Sequence, residues 1–382
     1  MEKKVALANC NSYDTNEVFT AVCKVVNQLG GINAFIKPGE RILIKPNLLS
    51  AKAPERAITT HPEVVRALIR LVRSAGAIPI VGDSSGGAIK GVERVWVETG
   101  MKKVCHEENT ELVNFETSGV VETKINHKIV KTVYISKVVL TVDGIINAPK
   151  LKTHGLTTYT GAVKNFYGTI PGLRKAEYHK LVPPGANDFG ALIGEIFLAV
   201  ENKVRLNVID AVLSMEGNGP SAGEIKKLDF IAGSNDANLL DYKMVELLGF
   251  KPKRVGTIKY IALQKGYMFP FAKNEILGDK PDQAKLAGFK FPSTWFFNII
   301  PRWFISILGR FVWLKAEVIE DICTSCLVCV NSCPVKAIEK KDGKKPFVIS
   351  KNCISCLCCH EMCPSKAIAF KKSFLAKFLI RG

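Results

Sequence analysis

The sequence predicts an α/β protein in two unequal parts. The larger is an N-terminal domain with a mainly parallel sheet and flanking helices, and the smaller is a C-terminal α+β module. Two observations predict the larger part: apolar strand-like runs alternate with amphipathic helical segments through residues 1–260, and the runs end in turn-forming residues. A third observation, the crowding of cysteines beyond residue 317, marks off the smaller part. At about 100–200 residues per domain, the 382 residues allow two or three domains.

The first β-α-β unit sets the pattern. Residues 41–45 (RILIK) form a β-like apolar run, and residues 78–81 (IPIV) form a second one. Between them Thr60 is a candidate helix cap, Pro62 stands where an early helical proline is tolerated, and apolar residues follow at helical spacing. This order predicts parallel strands joined by right-handed crossovers.

The same pattern continues along the chain. Asn235 or Asp236 is a candidate cap for a further helix, and Gly249 is its candidate stop. The other predicted elements are helices at 91–99 and 190–201, a hairpin at 120–134, and strands at 144–148, 204–210 and 228–231.

Residues 261–316 are predicted to connect the two parts. Within them, residues 291–315 hold three of the four tryptophans but are interrupted by Pro301, Arg302 and Arg310. Because charges are costly at the centre of a bilayer, we expect this stretch to pack between the domains rather than to span a membrane. Peripheral contact with a membrane surface stays an alternative, and the basic tail at 371–382 is compatible with it.

The net charge of +18 favours anionic partners. These include anionic small molecules, an acidic redox partner protein and anionic lipid, and a basic surface without a dedicated partner stays open. No nucleic-acid-binding motif is present, so nucleic acid is not expected. The first residues, MEKKVALANCNSYD, lack an apolar core of signal-peptide length, which predicts a cytoplasmic setting.

Two cysteine runs carry the strongest signal. In a reducing setting, crowded cysteines are read as metal ligands rather than disulfides. Both runs have the two-two-three spacing and following proline of [4Fe–4S] sites, which argues against structural zinc. The first run holds Cys323, Cys326, Cys329 and Cys333, and the second holds Cys353, Cys356, Cys359 and Cys363.

Residues 317–370 resemble bacterial two-[4Fe–4S] ferredoxins. The resemblance implies low-potential transfer of single electrons, with the fourth cysteine of each run crossing to the other cluster. It assigns two [4Fe–4S] clusters and leaves Cys358 as a spare thiol. Cluster one takes Cys323, Cys326, Cys329 and Cys363, and cluster two takes Cys353, Cys356, Cys359 and Cys333.

Polar side chains at predicted strand ends mark a candidate site in the N-terminal domain, because ligands bind beyond the carboxyl ends of strands in open α/β sheets. We predict catalytic roles for His154 as acid–base group, for Lys152 and for Asp83. Asn165 and Asp210 join the set at strand ends. An anionic substrate is predicted to bind Lys45, Asn47, Ser84, Ser85, Lys150 and Lys164.

Each assignment has a structural alternative. Asp83 suits a turn or helix cap, Lys150 and Lys152 suit solvated surface positions, and Lys164 suits either role. His61 is predicted to be structural or to cap a helix. Residues 216–219 suit a plain turn as well as a loop over the site. No GxGxxG fingerprint is present, so no flavin or nicotinamide is proposed.

Several segments resemble the domain-of-unknown-function 362 family. They are KPNLL, TTHPEVVRALI, VGDSSG, INAPKLKTHGLTTYTGAVKN, VIDAVLSMEGNGP and GSNDANLLD. Members often carry a C-terminal two-cluster ferredoxin module, so the resemblance implies an iron–sulfur redox protein without naming a substrate. The sequence thus favours a ferredoxin-dependent oxidoreductase acting on an anionic substrate. The alternative is an electron carrier that docks to a redox partner and has no chemistry of its own.

Overall fold

The computed structural model of the protein describes residues 2–86, 91–172, 174–182, 186–267, 275–292 and 314–373. Most of the stretch at 291–315 and most of the tail at 371–382 lie outside these ranges. The predictions of domain packing or membrane contact for those segments therefore stay predictions. No helix among the described residues combines the length and apolar character needed to cross a bilayer.

The strands alternate with helices through most of the described chain. The strands are β1 (Val5–Asn9), β2 (Arg41–Pro46), β3 (Ile78–Asp83), β4 (Glu111–Asn114), β5 (Val120–Lys124), β6 (Thr132–Ser136), β7 (Gly144–Ala148), β8 (Lys150–His154), β9 (Thr158–Thr160), β10 (Val204–Glu216), β11 (Glu224–Ser234), β12 (Ile276–Gly278), β13 (Leu314–Val318), β14 (Ile338–Glu339), β15 (Phe347–Val348) and β16 (Ile368–Lys372). The helices are α1 (Thr15–Gln28), α2 (Pro62–Ser74), α3 (Val92–Glu98), α4 (Met101–Glu107), α5 (Lys137–Thr141), α6 (Ala162–Asn165), α7 (Arg174–Leu181), α8 (Ala186–Leu198), α9 (Ala237–Leu247), α10 (Gly256–Gln264), α11 (Gln283–Leu286), α12 (Val328–Asn331) and α13 (Cys358–Met362).

One large sheet organises the N-terminal domain. Its strand order is β12-β1-β11-β10-β7-β2-β3-β4, with β8 and β9 attached beside β10. Strands β10, β7, β2, β3 and β4 run parallel to one another, whereas β11 runs antiparallel to β1 and β10. The mainly parallel α/β fold predicted from the sequence is confirmed. The order reverses at β2, since β3 and β4 lie on one side of it and β7 returns to the other.

Helices cover both faces of this sheet because the side chains of its central strands alternate between two apolar cores. In β2, Ile42 and Ile44 pack with the core that includes helices α1 and α2. Leu43 points to the opposite core, which includes helices α8 and α9. A strand buried on both faces reads as a continuous apolar run, which is why β2 and β3 were recognisable in the sequence.

Two predicted helix caps can be compared with the structure. Asp236 caps α9 by accepting from Leu239 N, as predicted. His61, rather than Thr60, is the N-cap of α2, with its Nδ1 accepting from Glu63 N at 3.2 Å. The Thr60 hydroxyl instead donates to Ala148 O at 2.7 Å, so it ties the start of α2 to the end of β7.

Strand β8 is an element that the sequence analysis did not predict, and it follows β7 directly after Pro149. β10 is 13 residues long and extends past the end of β7. The extension offers free backbone groups, and β8 pairs with it in parallel at Asp210 and Met215. All five residues of β8 are consequently buried, including both lysines.

The C-terminal module repeats itself over a 30-residue offset. Strands β13 and β16 form one antiparallel pair, and β14 and β15 form another. Cys333 Sγ accepts from Ala337 N at 3.1 Å, and the equivalent Cys363 Sγ accepts from Ala367 N at 3.1 Å. Leu327 and Leu357 both adopt left-handed backbone, with φ of 62° and 65°. The two halves of the module therefore share backbone geometry and thiol hydrogen bonds at equivalent positions.

The module docks on the edge of the sheet where the parallel strands end. Leu357 is buried in one of the N-terminal domain's apolar cores. Ser221 Oγ donates to Glu361 O at 2.6 Å, and Lys52 Nζ donates to Pro364 O at 2.9 Å. The second cysteine run therefore forms part of the contact between the two parts of the chain.

Candidate functional site

A cavity of about 380 Å³ lies between the C-terminal edge of the parallel sheet and the cysteine module. On the sheet side, Asn47 follows β2 and Ser84 follows β3. On the module side the lining includes Cys358 and Glu361. Because both parts of the chain contribute walls, the cavity exists only where the module docks.

A buried ion pair supports the sheet side of the cavity. Lys45 Nζ lies 2.6 Å from Asp83 Oδ1, and both side chains are almost completely buried. Asp83 Oδ2 accepts from Leu48 N at 2.7 Å. Burial lowers the pKa of Lys45, and the Asp83 carboxylate opposes that shift. Both carboxylate oxygens of Asp83 have partners within the domain. The contacts of Lys45 and Asp83 therefore support the structure around the cavity.

Gly168 lies directly against this ion pair. A Cβ atom added there would stand 2.2 Å from Asp83 Oδ1 and 2.7 Å from Lys45 Nζ. We therefore expect Gly168→Ala to separate the pair and to lower the thermal unfolding midpoint of the N-terminal domain. At Gly86, on the same edge, the nearest atom would be 3.4 Å away, so Gly86→Ala is the matched control. Equal midpoints for the two variants would contradict the expected clash.

Lys152 is a buried lysine without a carboxylate partner. Its Nζ donates to Asn47 Oδ1 at 2.7 Å and to Ile58 O. No carboxylate lies within ion-pair distance of it in the described part of the chain. Burial first, and then the nearby ammonium groups of Lys164 and Lys150, lower the pKa of Lys152 well below its ordinary value. Burial and the two neighbouring cations thus shift Lys152 toward its neutral amine form.

His154 is held in one tautomer. Its Nδ1 accepts from Leu156 N at 3.1 Å and from Thr157 N at 3.4 Å, so the proton of the neutral ring belongs on Nε2. Nε2 lies 3.4 Å from Glu361 Oε1. Burial, followed by Lys164 and Lys152, lowers the pKa of His154 well below its ordinary value. The ring is thus a neutral hydrogen-bond donor.

Two further lysines give the cavity a positive wall. Burial lowers the pKa of Lys164 and of Lys175 to about 8 in each case, and nearby carboxylates oppose the shift. Both remain largely protonated at neutral pH. Lys175 Nζ donates to Ser84 Oγ at 2.8 Å, whereas Lys164 Nζ lies 5.3 Å from the centre of the Tyr167 ring. The Lys164 ammonium makes no hydrogen bond within the described residues and remains available to an anion.

Lys164 is positioned by its own short helix. Asp241, on α9, accepts from Ala162 N at 2.6 Å and from Val163 N at 3.0 Å at the start of α6. A Cβ atom at Gly161 would stand 2.1 Å from Asp241 Oδ1, so only glycine permits this approach. The contact between Asp241 and the start of α6 therefore fixes the backbone position of Lys164.

Glu361 is the acidic side chain that the module brings to the cavity. Burial raises its pKa to about 7, although Lys164 and Lys152 act in the opposite direction. Its Oε1 makes no hydrogen bond to the described residues, despite its proximity to His154. The sequence-based assignments missed Glu361, Lys175, His179 and Glu116, all of which line the cavity. Glu361, Lys175 and His179 lie away from strand ends, and no local pattern marks them. Glu116 follows the end of β4, a strand that the sequence analysis did not predict.

Two buried hydroxyl groups also line the cavity without a partner. Ser85 Oγ and Thr160 Oγ1 have no hydrogen-bond partner among the described residues. Buried polar atoms in native structures nearly always have partners, including water or ligands. These two hydroxyls are therefore available to hold a polar ligand.

Lys150 lies away from this cavity. Its Nζ is 2.8 Å from Asp210 Oδ2 and donates to Tyr13 OH at 2.8 Å. Tyr13 OH in turn donates to Asp210 Oδ1, and His61 N donates to Asp210 Oδ2. This enclosed network satisfies the Lys150 ammonium. Of the predicted binding residues, the structure brings Asn47, Ser84, Ser85 and Lys164 to the cavity beside Lys152, His154 and Asp83, while Lys45 lies behind Asp83.

The cysteines of the module surround two small cavities. In the described part of the chain, no three histidine, cysteine or carboxylate side chains converge as ligands of a single metal ion. Instead, four cysteines line one space and five line the other. The first space is lined by Cys323, Cys326, Cys329 and Cys363. The second is lined by Cys333, Cys353, Cys356 and Cys359, the set predicted for cluster two, and also by Cys358. The donor sets suit [4Fe–4S] clusters, which take one thiolate per iron.

Comparison with known protein families agrees with this organisation. The model for a domain of unknown function, DUF362, matches residues 42–246. The chain belongs to the DUF362 family. A model for a 4Fe-4S dicluster domain matches residues 315–364, so this DUF362 protein is also an iron–sulfur protein.

Among curated proteins, this DUF362 chain is similar to "Thylakoid-associated protein sll1697" of Synechocystis sp.. The two are 32% identical over 289 residues, which cover 75% of this chain and 83% of the relative. Among solved structures, lactate racemase apoprotein from Thermoanaerobacterium thermosaccharolyticum has a TM-score of 0.40 and 13% identity over 63% of this chain. A Thermotoga maritima protein has a TM-score of 0.39 and 12% identity over 67% of this chain. The chain spans 56% and 60% of the lengths of those two proteins.

Proposed function

We propose that this protein is an iron–sulfur oxidoreductase that passes electrons from two [4Fe–4S] clusters to an anionic substrate in the cavity between the sheet and the module. One observation carries the proposal: a cavity with a lysine wall is closed by the segment that contains cluster-two cysteines. Cys358, which lines the cavity, lies between Cys356 and Cys359 in the chain. An electron reaching cluster two would therefore be next to the substrate.

The two four-cysteine sets are the ligand sets that we propose for the clusters. Bound clusters would supply single electrons at low potential. Three of the four cysteines around cluster one are half-buried, whereas two of the four around cluster two are buried. Cluster one thus has the more exposed surroundings and is suited to receive electrons from outside.

The substrate side supplies charge and protons. Lys164 and Lys175 are placed to bind the anionic group, with the free hydroxyls of Ser85 and Thr160 as further contacts. His154 Nε2–H is placed to donate to a carbonyl or similar acceptor. A two-electron reduction would consume two electrons from an external one-electron donor and two protons that enter from solvent through side chains such as Glu361.

The proposal can be tested by reoxidation of the reduced clusters. Anaerobic holoprotein is reduced with dithionite, freed of excess reductant and mixed with small-molecule fractions of a cell extract, while the visible absorbance of the clusters is followed. We expect at least one fraction to reoxidise the clusters. We expect Lys164→Met to slow that reaction by about tenfold or more, because a hydrogen bond to a charged group is lost.

The control variant is Lys259→Met, on an exposed helical position outside the cavity. It should react like the unsubstituted protein. If no fraction reoxidises the clusters, or if Lys164→Met reacts at the control rate, the substrate site is wrong. The carrier that docks to a redox partner would then be the better description.

A basic groove beside cluster one suggests where the electron donor docks. This second cavity, of about 200 Å³, is lined by Cys326 and Cys363 together with four cationic side chains. Among the described residues, none of the four forms an ion pair with a carboxylate, although Glu361 also lines the groove. The four are Lys52, Arg56, Arg94 and Lys366. Such a groove fits an acidic one-electron carrier protein.

We expect Arg56→Gln combined with Arg94→Gln to slow reduction by an acidic carrier such as reduced flavodoxin by about tenfold at low ionic strength. Added salt should slow the unsubstituted protein and reduce the difference. Reduction by dithionite should stay unchanged. The control pair is Lys128→Gln with Lys259→Gln, at exposed positions outside the groove. Equal rates with flavodoxin for both pairs would exclude docking at this groove.

A further inference from the structure

Lys152 has the geometry of an amine nucleophile. It is 1% exposed, and it lines the cavity. Its Nζ uses two donor positions, one on Asn47 Oδ1 and one on Ile58 O. The orientation of the Asn47 amide is set independently, because Asn47 Nδ2 donates to Asn165 Oδ1 at 3.0 Å. A neutral amine that donates both hydrogens to these carbonyl oxygens keeps its lone pair for a third direction.

The surroundings of Lys152 favour that neutral form. Lys164 and Lys150 are nearby cations, Glu361 and Asp83 are the nearby acids, and burial acts in the same direction as the cations. Other lysines of the domain core differ in this respect. Lys45 is paired with Asp83, and Lys150 is paired with Asp210. A desolvated lysine next to another cation is the usual setting of an amine that attacks carbonyl carbon.

The neighbouring groups suit a carbonyl compound with a carboxylate. His154 Nε2–H can donate to a carbonyl oxygen, because its Nδ1 is occupied by backbone N–H groups. Lys164 Nζ carries a charge that no carboxylate within ion-pair distance neutralises in the described residues. A 2-oxo acid has both groups that these side chains would recognise. Its carbonyl oxygen can accept from His154 Nε2–H, and its carboxylate can bind the Lys164 ammonium.

We propose that Lys152 forms an imine with a 2-oxo carboxylate bound in the cavity. The amine nitrogen attacks the carbonyl carbon, the carbonyl oxygen leaves as water after taking up two protons, and the nitrogen loses both of its own. The net change is one C=N bond formed, one C=O bond broken and one water released, without any oxidant or reductant. This inference rests on the proposed function in one respect: both place the bound molecule in the same cavity.

The test is reductive trapping. Anaerobic holoprotein is incubated with pyruvate or 2-oxoglutarate and sodium cyanoborohydride, and the adduct is located by peptide mass spectrometry. We expect one reduced adduct, with Lys152 labelled at least about tenfold more than any exposed lysine. Lys152→Met should remove it, and Lys259→Met should leave it unchanged. Lys152→Gln is uncharged like the neutral amine and keeps an N–H donor group but forms no imine, so it is the second variant, and the adduct should be absent from it as well.

Three results would overturn the imine: no adduct with either oxo acid, labelling spread evenly over exposed lysines, or labelling elsewhere that persists in Lys152→Met. Trapping does not require electron transfer by the clusters. If Lys152 forms the adduct but no extract fraction reoxidises the clusters, the imine stands and the proposed substrate reduction is rejected. Reoxidation without an adduct would keep the reduction and reject the imine.

Discussion

Replacing Lys45 with Met should lower the free energy of unfolding of the N-terminal domain by about 3–5 kcal/mol. The reason is the fate of Asp83. Its carboxylate is nearly fully buried and faces Lys45 Nζ at 2.6 Å. Without the ammonium, Leu48 N is its remaining hydrogen-bond donor among the described residues. Asp83 must then stay charged in a buried site without its ion-pair partner or take up a proton, and either outcome costs stability.

The measurement is urea unfolding followed by far-ultraviolet circular dichroism. The control is Lys102→Met, which breaks the ion pair with Glu93 at side chains that are 58% and 57% exposed. An exposed pair contributes about 1 kcal/mol at most, so this control should change little. Adding Asp83→Asn to Lys45→Met should restore part of the loss by removing the buried charge. A Lys45→Met cost equal to that of the control would show that the pair does not support the site.

Crossed cluster ligation predicts an asymmetric response to the two fourth cysteines. In a background with Cys323→Ala and Cys326→Ala, cluster one should be lost and roughly half of the iron should remain. Adding Cys363→Ala should then cost no further iron, because that thiol belongs to the cluster already absent. Adding Cys333→Ala should remove most of the remaining iron, although Cys333 lies in the first run.

Iron and acid-labile sulfide content, together with electron paramagnetic resonance of the reduced protein, provide the readout. Cys358→Ala is the control. Cys358 lines the cluster-two space, but it stands outside the two-two-three spacing of the second run, so its loss should leave both clusters in place. The reverse pattern, in which Cys363→Ala removes the remaining iron and Cys333→Ala does not, would show that each run keeps its own fourth ligand.

Local sequence patterns predicted the parts of the fold that depend on short-range periodicity. Strands β2, β3 and β7 are buried on both faces, so their apolar runs are readable without knowing what covers them. The caps of α2 and α9 involve residues within a few positions of each helix start, and such contacts leave a local signature. The cysteine spacing is also local, since a cluster needs closely spaced thiolates.

The rest depends on long-range contacts. β8 becomes a strand because β10 extends beyond the end of β7 and pairs with β8 there. That pairing depends on the relative lengths of β7 and β10, which are far apart in the chain. Lys150 and Lys152 look equivalent two residues apart, yet one meets Asp210 and Tyr13 while the other meets Asn47 and the cavity. Glu361 reaches the site only because the module docks on the sheet edge. No pattern around these residues encodes those encounters.

We propose above all that an anion binds between the ammonium groups of Lys164 and Lys175 and the segment that holds the second cysteine run. The most direct test is a crystal structure of the holoprotein, determined under anaerobic conditions. One crystal is grown without added ligand, and another with pyruvate or 2-oxoglutarate. We expect a cluster on each four-cysteine set and an anionic molecule contacting Lys164 or Lys175 beside Lys152. A module packed away from the sheet edge, or clusters in place with no anion at either lysine, would contradict the account.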